Sequence, residues 1–131
     1  MAPTLNYVGL VVADMPKTLA FYRLLGLDVP ADQDSAPHAE HALPGGMRIC
    51  WDTEATIRSF DPEWKPGARG DGRSAIGFEC DTPAEVDKVY ERMISAGYEG
   101  HLAPWDAFWG MRYAVLHDPD GHGVDLYCTI G

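Results

Sequence analysis

Two stretches of the chain alternate bulky apolar side chains with smaller or aromatic ones. Val8, Leu10 and Val12 occupy every second position of the first stretch, and residues 75–80 repeat the alternation. A β-strand places successive side chains on opposite faces, so this period of two predicts a strand in each stretch. The bulky sets are expected beneath a helix, and the intervening side chains, Tyr7 among them, on an open face of the sheet.

The same helix pattern follows each strand. It consists of an Asp cap, a proline in the first turn and, after an amphipathic stretch, a final glycine: Asp14, Pro16 and Gly26 in the first copy, and Asp81, Pro83 and Gly97 in the second. An Asp side chain accepts hydrogen bonds from the unpaired N–H groups of the first turn, where proline has no N–H to leave unpaired. Glycine tolerates the left-handed conformation that ends a helix. The chain is therefore predicted to contain one module twice.

Three further strand candidates follow each helix. They span residues 27–29, 38–43 and 47–51 in the first copy and 98–102, 112–117 and 123–128 in the second. Each copy then has the order βαβββ, and the fold class is α+β with two such modules. The modules are expected at residues 1–55 and 73–131, joined by a linker at 56–72. Since one helix covers only one face of a sheet, the other face is free for a ligand.

The linker is long for a compact protein. Connections of this length are uncommon unless they have a function or join separate modules. This one allows the halves of one chain to pair with the opposite halves of a second chain. We therefore expect a homodimer that is intertwined or domain-swapped.

The charge of the chain limits its partners. The 131 residues include 20 acidic and 10 basic side chains, which gives a formal net charge of −10. Binding to a phosphate backbone needs clustered Lys and Arg, so nucleic acid is not an expected partner. The acidic surface slightly favours a neutral or cationic ligand.

Neither a membrane nor an oxidising compartment is expected for this chain. The longest apolar stretch, residues 8–13, is far shorter than the ~20 residues of a membrane span, and residues 1–6 lack the basic and apolar regions of a signal peptide. Cys50, Cys80 and Cys128 cannot all pair within one chain, and none forms a C-x-x-C motif. We expect buried, reduced thiols in a cytoplasmic protein.

Aromatic side chains concentrate in two segments outside the predicted strands and helices. Trp105, Phe108 and Trp109 lie in one short loop, and Phe60 and Trp64 lie in the linker. Two loop tryptophans so close together indicate a binding edge, since tryptophan is normally buried in strands or helices. The alternatives are that these rings attach loops to the body of the protein or lie at a dimer interface.

One more tryptophan and a few polar side chains complete the candidates from the residues themselves. Trp51, at a strand end, fits either the core or the cleft. Asp125 falls on the open face by alternation with its apolar neighbours. Polar contacts that orient a ligand are expected from Tyr113, Asp125 or Asp52.

Three segments resemble the vicinal-oxygen-chelate superfamily, which includes glyoxalases, extradiol dioxygenases, fosfomycin-resistance enzymes and bleomycin-binding proteins. These segments, which together extend over nearly the whole chain, are 8–15, 20–27 and 117–127. Further segments look like the antibiotic-sequestering members that bind mitomycin: 34–38, 49–53, 61–64, 97–101 and 104–113. The resemblance implies that a drug is held, not transformed, in two equivalent clefts of an intertwined dimer. It also implies that His38 and Trp109 form a stacking pair around a planar ring.

The resemblance also bears on metal binding. Metal-dependent members use His, Gln or Glu at four positions, which correspond here to Tyr7, approximately Trp51, Ala75 and Asp125. A stable divalent site needs three or four protein donors that converge on one point. Since Asp125 alone offers a suitable ligand, no metal and no other cofactor are expected.

We therefore predict non-catalytic binding and sequestration of a planar aromatic or quinone-type antibiotic, mitomycin-, bleomycin- or enediyne-like, that confers self-resistance. The alternatives are a metal-dependent glyoxalase-like lyase, isomerase or dioxygenase, and a metal-free enzyme that transforms quinones. For the latter, the sequence shows no arrangement of nucleophile, base and orienting group. The expected ligand-binding residues are Tyr7, His38, Trp51, Phe60, Trp64, Trp105, Phe108, Trp109, Tyr113 and Asp125.

Overall fold

The structure, a computed structural model, describes residues 2–69 and 73–130. The chain divides into two units, residues 1–66 and 67–131, and the division falls inside the segment predicted as a linker. Each unit contains one β-sheet with accompanying helices, which confirms the predicted α+β class. Within the described ranges, no helix is both long enough and apolar enough to cross a bilayer.

The first unit has a three-stranded sheet. Its elements are β1 (Tyr7–Val12), α1 (Met15–Leu24), β2 (His38–Ala42), β3 (Arg48–Thr53) and α2 (Glu54–Arg58), with short 3-10 helices at Ala31–Ser35 and Pro44–Gly46. The central strand is β3, which is parallel to β1 and antiparallel to β2. Helix α1 begins as predicted, since Asp14 Oδ1 accepts a hydrogen bond from the Lys17 N–H at 3.0 Å.

The predicted strand at residues 27–29 is wrong. These residues are described and form no strand, so the first unit has one strand fewer than the βαβββ pattern. Two backbone carbonyls of this segment accept hydrogen bonds from the Arg23 guanidinium instead of from a neighbouring strand. Nε donates to the Val29 carbonyl at 2.6 Å, and Nη2 donates to the Pro30 carbonyl at 2.7 Å. Pro30 also lacks an N–H for a sheet ladder, and the chain turns into a 3-10 helix instead.

The core of the first unit lies between α1 and one face of its sheet. Leu19 and Tyr22 of α1 are fully buried, as are Val12 of β1 and Trp51 of β3. The rings of Tyr22 and Trp51 lie 5.4 Å apart. Leu10 and Val12 of β1 therefore lie on the core face, as the sequence pattern predicted, whereas Val8 at the start of the strand is 45% exposed.

The second unit has a four-stranded sheet. Its elements are β4 (Ala75–Glu79), α3 (Pro83–Ser95), β5 (Glu99–Ala107), β6 (Met111–His117) and β7 (Gly123–Thr129). The strand order is β4-β7-β6-β5, with β4 parallel to β7 and the other pairs antiparallel. Val86 and Met93 of α3 are fully buried, and so are Leu116 of β6 and Val124 of β7. This unit therefore has the complete βαβββ order.

Helix α3 begins with a different cap from the one predicted. Thr82, not Asp81, accepts the first-turn hydrogen bond, from the Glu85 N–H to Oγ1 at 3.1 Å. In return, Glu85 Oε2 accepts the Asp81 N–H at 3.0 Å. This reciprocal arrangement is close to a capping box, which satisfies two otherwise unpaired donors.

Strand β5 is longer than predicted and includes Trp105, which was expected in a loop. The pairing of β5 with β6 shifts register twice, between Gly100 and Leu102 and between Leu102 and Trp105. Pro104 falls in the second irregular segment, where a residue without an N–H does not interrupt the ladder. These irregularities allow the strand to continue past the proline and place Trp105 opposite Tyr113.

The three cysteines are buried and unpaired, as predicted. Burial raises the pKa of the Cys80 thiol to about 11 and also raises that of Cys50. A buried thiol with a raised pKa is largely protonated at neutral pH and reacts slowly.

Candidate ligand-binding site

The open face of the second sheet presents one aromatic side chain from each of three adjacent strands. Trp105 of β5 lies opposite Tyr113 of β6, which in turn lies opposite Tyr127 of β7. Residues that pair directly across strands share a face. Helix α3 covers the other face, where Arg112 Nε donates to Asp87 Oδ1 of that helix at 3.0 Å.

Two further rings extend this row into what we call the aromatic cluster, defined as Trp105, Phe108, Trp109, Tyr113 and Tyr127. Trp109 contacts three of the others edge-on, with its ring centroid 6.0 Å from Trp105, 5.0 Å from Phe108 and 5.3 Å from Tyr113. Tyr113 and Tyr127 are more nearly parallel, at 6.4 Å and 29°. Edge-to-face contacts of this kind stabilise aromatic groups beyond their buried area.

Part of the aromatic cluster is exposed to solvent. Phe108 is 96% exposed and Trp109 is 47% exposed. Both lie in the turn between β5 and β6, which Gly110 closes with φ at +87° and an N–H bond to the Ala107 carbonyl at 3.0 Å. A contiguous exposed apolar patch beside half-buried rings is typical of a binding surface.

A polar pair lies beside the rings. The Tyr113 hydroxyl donates a hydrogen bond to Asp125 Oδ2 on the neighbouring strand. Burial, followed by this hydrogen bond, raises the pKa of Tyr113 to about 12. The phenol therefore stays protonated at neutral pH and holds the Asp125 carboxylate in a fixed position at the edge of the aromatic cluster.

The open face of the first sheet is polar. His38 Nδ1 lies 2.6 Å from Asp52 Oδ1, and His38 Nε2 lies 2.8 Å from Glu40 Oε2. The hydrogen bond to Glu40 contributes most to a raised pKa of His38, and the bond to Asp52 adds to it. The bond to His38 in turn lowers the pKa of Glu40. Arg48 also bonds Glu40, and its guanidinium lies 5.6 Å from the centre of the Tyr7 ring.

The comparison with known protein families decides the classification. The family model described as the glyoxalase/bleomycin resistance protein/dioxygenase superfamily matches residues 4–126. The chain belongs to this superfamily. No protein with a curated function matches the chain.

Solved structures of superfamily proteins have the same fold. A glyoxalase/bleomycin resistance protein/dioxygenase family enzyme from Burkholderia phytofirmans is 21% identical, with 98% of this chain and 100% of that chain covered and a TM-score of 0.80. A glyoxalase-related enzyme from Fulvimarina pelagi is 17% identical, with 98% and 89% covered and a TM-score of 0.80. A glyoxalase/bleomycin resistance protein/dioxygenase from Nocardioides is 23% identical, with 99% and 85% covered and a TM-score of 0.74. At these identities the likeness is one of fold.

The four positions at which the superfamily resemblance expects metal ligands do not fit a divalent ion. Ala75 has no donor atom, and Trp51 lies on the helix side of its sheet. The Tyr7 ring lies over Gly9, where a Cβ would come within 3.4 Å of it, and Asp125 is bonded to Tyr113. Asp52, the open-face neighbour of Trp51, is bonded to His38, and two carboxylates on different sheets do not make the three or four converging donors that a stable site needs.

Trp51 is the clearest correction to the predicted site of this superfamily member. Its side chain is completely buried, and its register partner on β1 is Leu10, which also faces the helix. In the first unit the open-face residues of β3 are its neighbours Cys50 and Asp52. Trp51 is therefore a core residue and does not line the open face.

The remaining predicted residues are distributed over both units. Tyr7 and His38 lie on the open face of the first sheet, while Phe60 and Trp64 lie in the segment after α2. Phe60 is 72% exposed, and the Arg58 guanidinium lies 5.2 Å from the centre of the Trp64 ring. The stacking pair expected from His38 and Trp109 involves two different units and stays a prediction.

The second sheet brings together all the predicted residues of its unit: Trp105, Phe108, Trp109, Tyr113 and Asp125. Tyr127 was not among the expected ligand-binding residues, although its alternation with Leu126 and Cys128 predicts that it lies on the open face with Asp125. The missing information was the register of β6 with β7, which pairs Tyr127 with Tyr113.

Proposed function

We propose that this protein binds a planar, partly apolar small molecule at the aromatic cluster and holds it without transforming it. The observation that supports this most directly is the exposure of Phe108 and Trp109 on a face where three strands each contribute a ring. Exposed rings of this size are costly to hydrate, and they gain most from a ligand that covers them.

Apolar burial and ring stacking supply most of the free energy that micromolar binding needs. Covering roughly 300 Å² of apolar surface at ~25 cal/mol/Å² supplies about 7 kcal/mol, and each ring stack adds about 0.5–1.5 kcal/mol. Association costs at least about 4 kcal/mol, so polar contacts must supply the rest of the ~8 kcal/mol that corresponds to micromolar binding. The Asp125 carboxylate, fixed by Tyr113, is the acceptor that we assign to this role.

The ligand class that we propose is a quinone-type or other planar aromatic antibiotic, whose sequestration confers resistance. Two considerations support it: the superfamily includes bleomycin resistance proteins by its description, and segments such as 104–113 look like mitomycin-binding members. The acidic chain, with a net charge of −10, favours a ligand that is neutral or cationic. The homodimer expected from the long linker is part of this proposal and can be measured by analytical ultracentrifugation.

A fluorescence titration tests the proposal. The full-length protein is titrated with quinone, glycopeptide and enediyne antibiotics while tryptophan emission is recorded, and the bound compound is recovered by denaturation and analysed by mass spectrometry. We expect saturation at one compound per chain and recovery of that compound unchanged. Recovery of a product, with multiple turnovers, would show an enzyme instead of a sequestering protein.

Matched variants locate the site. Trp109→Ala is expected to weaken binding at least tenfold, since a stack and its buried area are lost, and Trp109→Phe is expected to recover part of it. Leu43→Ala removes an exposed apolar side chain of the first unit and serves as the control. Equal affinities for wild type, Trp109→Ala and Leu43→Ala would contradict the proposed site.

A further inference from the structure

A cluster of polar side chains on the open face of the first sheet is not used by the proposed function. His38 and Glu40 lie two residues apart on β2, so both side chains project from the same face. The antiparallel register places Cys50 of β3 directly opposite Glu40. One ligand-type atom from each of these three side chains lies within 4.8 Å of the others.

These donors match the chemistry of a zinc-type ion. Imidazole nitrogen, carboxylate oxygen and thiolate sulfur are the three protein ligands of zinc, with bonds of about 2.0–2.3 Å that put tetrahedral donors roughly 3.5 Å apart. A spread of at most 4.8 Å therefore needs only small side-chain rotations. The charges of the Glu40 carboxylate and the Cys50 thiolate together balance a divalent cation.

The short contact between His38 Nε2 and Glu40 Oε2 needs a positive charge between the two atoms, either a proton on the ring or a metal ion that replaces it. Asp52 Oδ1 lies 2.6 Å from Nδ1 and accepts the proton of that nitrogen. In a neutral ring, Nε2 then has no proton, and its lone pair points at Glu40 Oε2, 2.8 Å away. Two acceptors this close repel each other unless a proton or a metal ion lies between them. A carboxylate on the second ring nitrogen is also the usual outer partner of a metal-bound histidine, where it fixes the tautomer and the ring orientation.

The neighbouring groups hold the carboxylate and leave the cluster accessible. Arg48 Nη1 donates to both oxygens of Glu40, at 3.1 and 3.2 Å, which fixes this ligand but adds a positive charge that limits metal affinity. The side chains of His38 and Glu40 are 44% and 39% exposed, whereas Cys50 is 2% exposed beneath them. An ion can therefore enter from solvent and meet the thiol at the inner end.

We infer that His38, Glu40 and Cys50 bind one divalent transition-metal ion of the zinc type, with Asp52 as the residue that positions His38. Binding releases the thiol proton of Cys50, and any proton held between His38 and Glu40, to solvent. Three protein ligands leave a further coordination position for water or for an oxygen of a small molecule. This site differs from the metal positions that the superfamily resemblance implies, because only Cys50 lies on a strand that carries one of them. None of its residues belongs to the aromatic cluster.

Metal titration of the full-length protein tests this inference. Protein freed of metal by chelator under reducing conditions is titrated with Zn²⁺ by calorimetry and with Co²⁺ by absorption spectroscopy. We expect one ion per chain and a near-ultraviolet thiolate-to-Co²⁺ charge-transfer band. Cys50→Ser should abolish the band, His38→Ala should weaken Zn²⁺ binding more than 100-fold, and Asp52→Asn should weaken it about 10–100-fold.

Three controls separate this site from other donors. His41→Ala lies on the same strand but on the opposite face, Cys80→Ser removes a different buried thiol, and His122→Ala removes a ligand-type atom from the Asp118, Asp120 and His122 group of the second unit. All three are expected to bind Zn²⁺ as wild type does. Absence of the charge-transfer band, or loss of binding in a control variant but not in His38→Ala, would overturn the inference.

A measurement on the wild type tests the same assignment if circular dichroism shows that Cys50→Ser is unfolded. Alkylation of each cysteine is mapped by mass spectrometry with and without Zn²⁺. Zn²⁺ should slow the alkylation of Cys50 at least tenfold and leave Cys80 and Cys128 unchanged. Equal alkylation rates of Cys50 in both conditions would contradict the assignment.

Discussion

The phenol of Tyr113 donates a hydrogen bond to the carboxylate of Asp125, one strand away on the open face of the second sheet. This contact joins the aromatic cluster to an acidic side chain. It holds the phenol in its protonated form, and it orients the carboxylate beside the rings. Its consequences for titration can be measured directly.

Alkaline titration of Tyr113 is expected to reach its midpoint near pH 12, since its pKa is raised to about 12, compared with ~10 for an unperturbed tyrosine. Because the folded-state pKa lies above the unfolded value, this contribution to stability is complete below about pH 10 and is lost as the pH rises towards 12. Asp125→Asn removes the negative charge and should lower the pKa of Tyr113. Ultraviolet difference absorption measures the titration, with Tyr113→Phe to identify the signal, and an unchanged pKa in Asp125→Asn would contradict the role of the carboxylate.

Trp51→Ala is expected to reduce the free energy of unfolding by about 3–5 kcal/mol, because it leaves a large cavity between α1 and the first sheet. Trp51→Phe should cost much less, since no acceptor within the described residues bonds the buried Nε1 and its loss removes an unsatisfied donor. Urea unfolding followed by circular dichroism measures both. If Trp51→Ala were as stable as wild type, the side chain would not be the core residue that we describe.

Arg23→Ala is expected to cost about 1–3 kcal/mol of stability, since it removes two hydrogen bonds from a charged donor to the carbonyls of Val29 and Pro30. Amide hydrogen exchange in residues 27–35 should accelerate more than exchange in β3. Arg58→Ala, which removes an exposed helix-surface arginine of the same unit, is the matched control. Uniform acceleration throughout the unit would indicate global destabilisation instead of loss of this local contact.

Cys80 is expected to react about 100-fold more slowly with a thiol reagent in the folded protein than in the unfolded chain at pH 8. Its pKa is raised from 9.0 to about 11, mainly by burial, and each unit of pKa above the working pH lowers the thiolate fraction tenfold. The variant Cys50→Ser/Cys128→Ser isolates this thiol. Rates are compared with and without denaturant, and a folded-state rate close to the denatured rate would mean that the thiol is accessible and ionised.

Most of the fold follows from local patterns in the sequence. The alternation predicted strands β1 and β4, and the cap at Asp14 is present as expected. The glycines that end the two long helices have positive φ, at +112° for Gly26 and +94° for Gly97. The strand predicted at residues 27–29 does not form, because the carbonyls of Val29 and Pro30 accept hydrogen bonds from Arg23, six and seven residues earlier in the sequence. No periodicity reports such a contact.

The candidate site was predictable only where strand register was not needed. Asp125 could be assigned to the open face from its own strand, whereas Trp51 could not be assigned without knowing that Leu10 is its partner. The length of β5 likewise depends on register shifts around Pro104, which bring Trp105 to Tyr113. The cluster of His38, Glu40 and Cys50 was missed for the same reason, because its members meet only across two strands.

Alternation along each strand also affects how these two units can evolve. Side chains on the helix side make the core, so their replacement costs folding free energy, while those on the open side contribute little to it. Substitutions on the open side can therefore accumulate independently in the two copies after a duplication. A polar surface in one copy and an aromatic surface in the other are what such divergence would produce, with a helix-packed core retained beneath each of them.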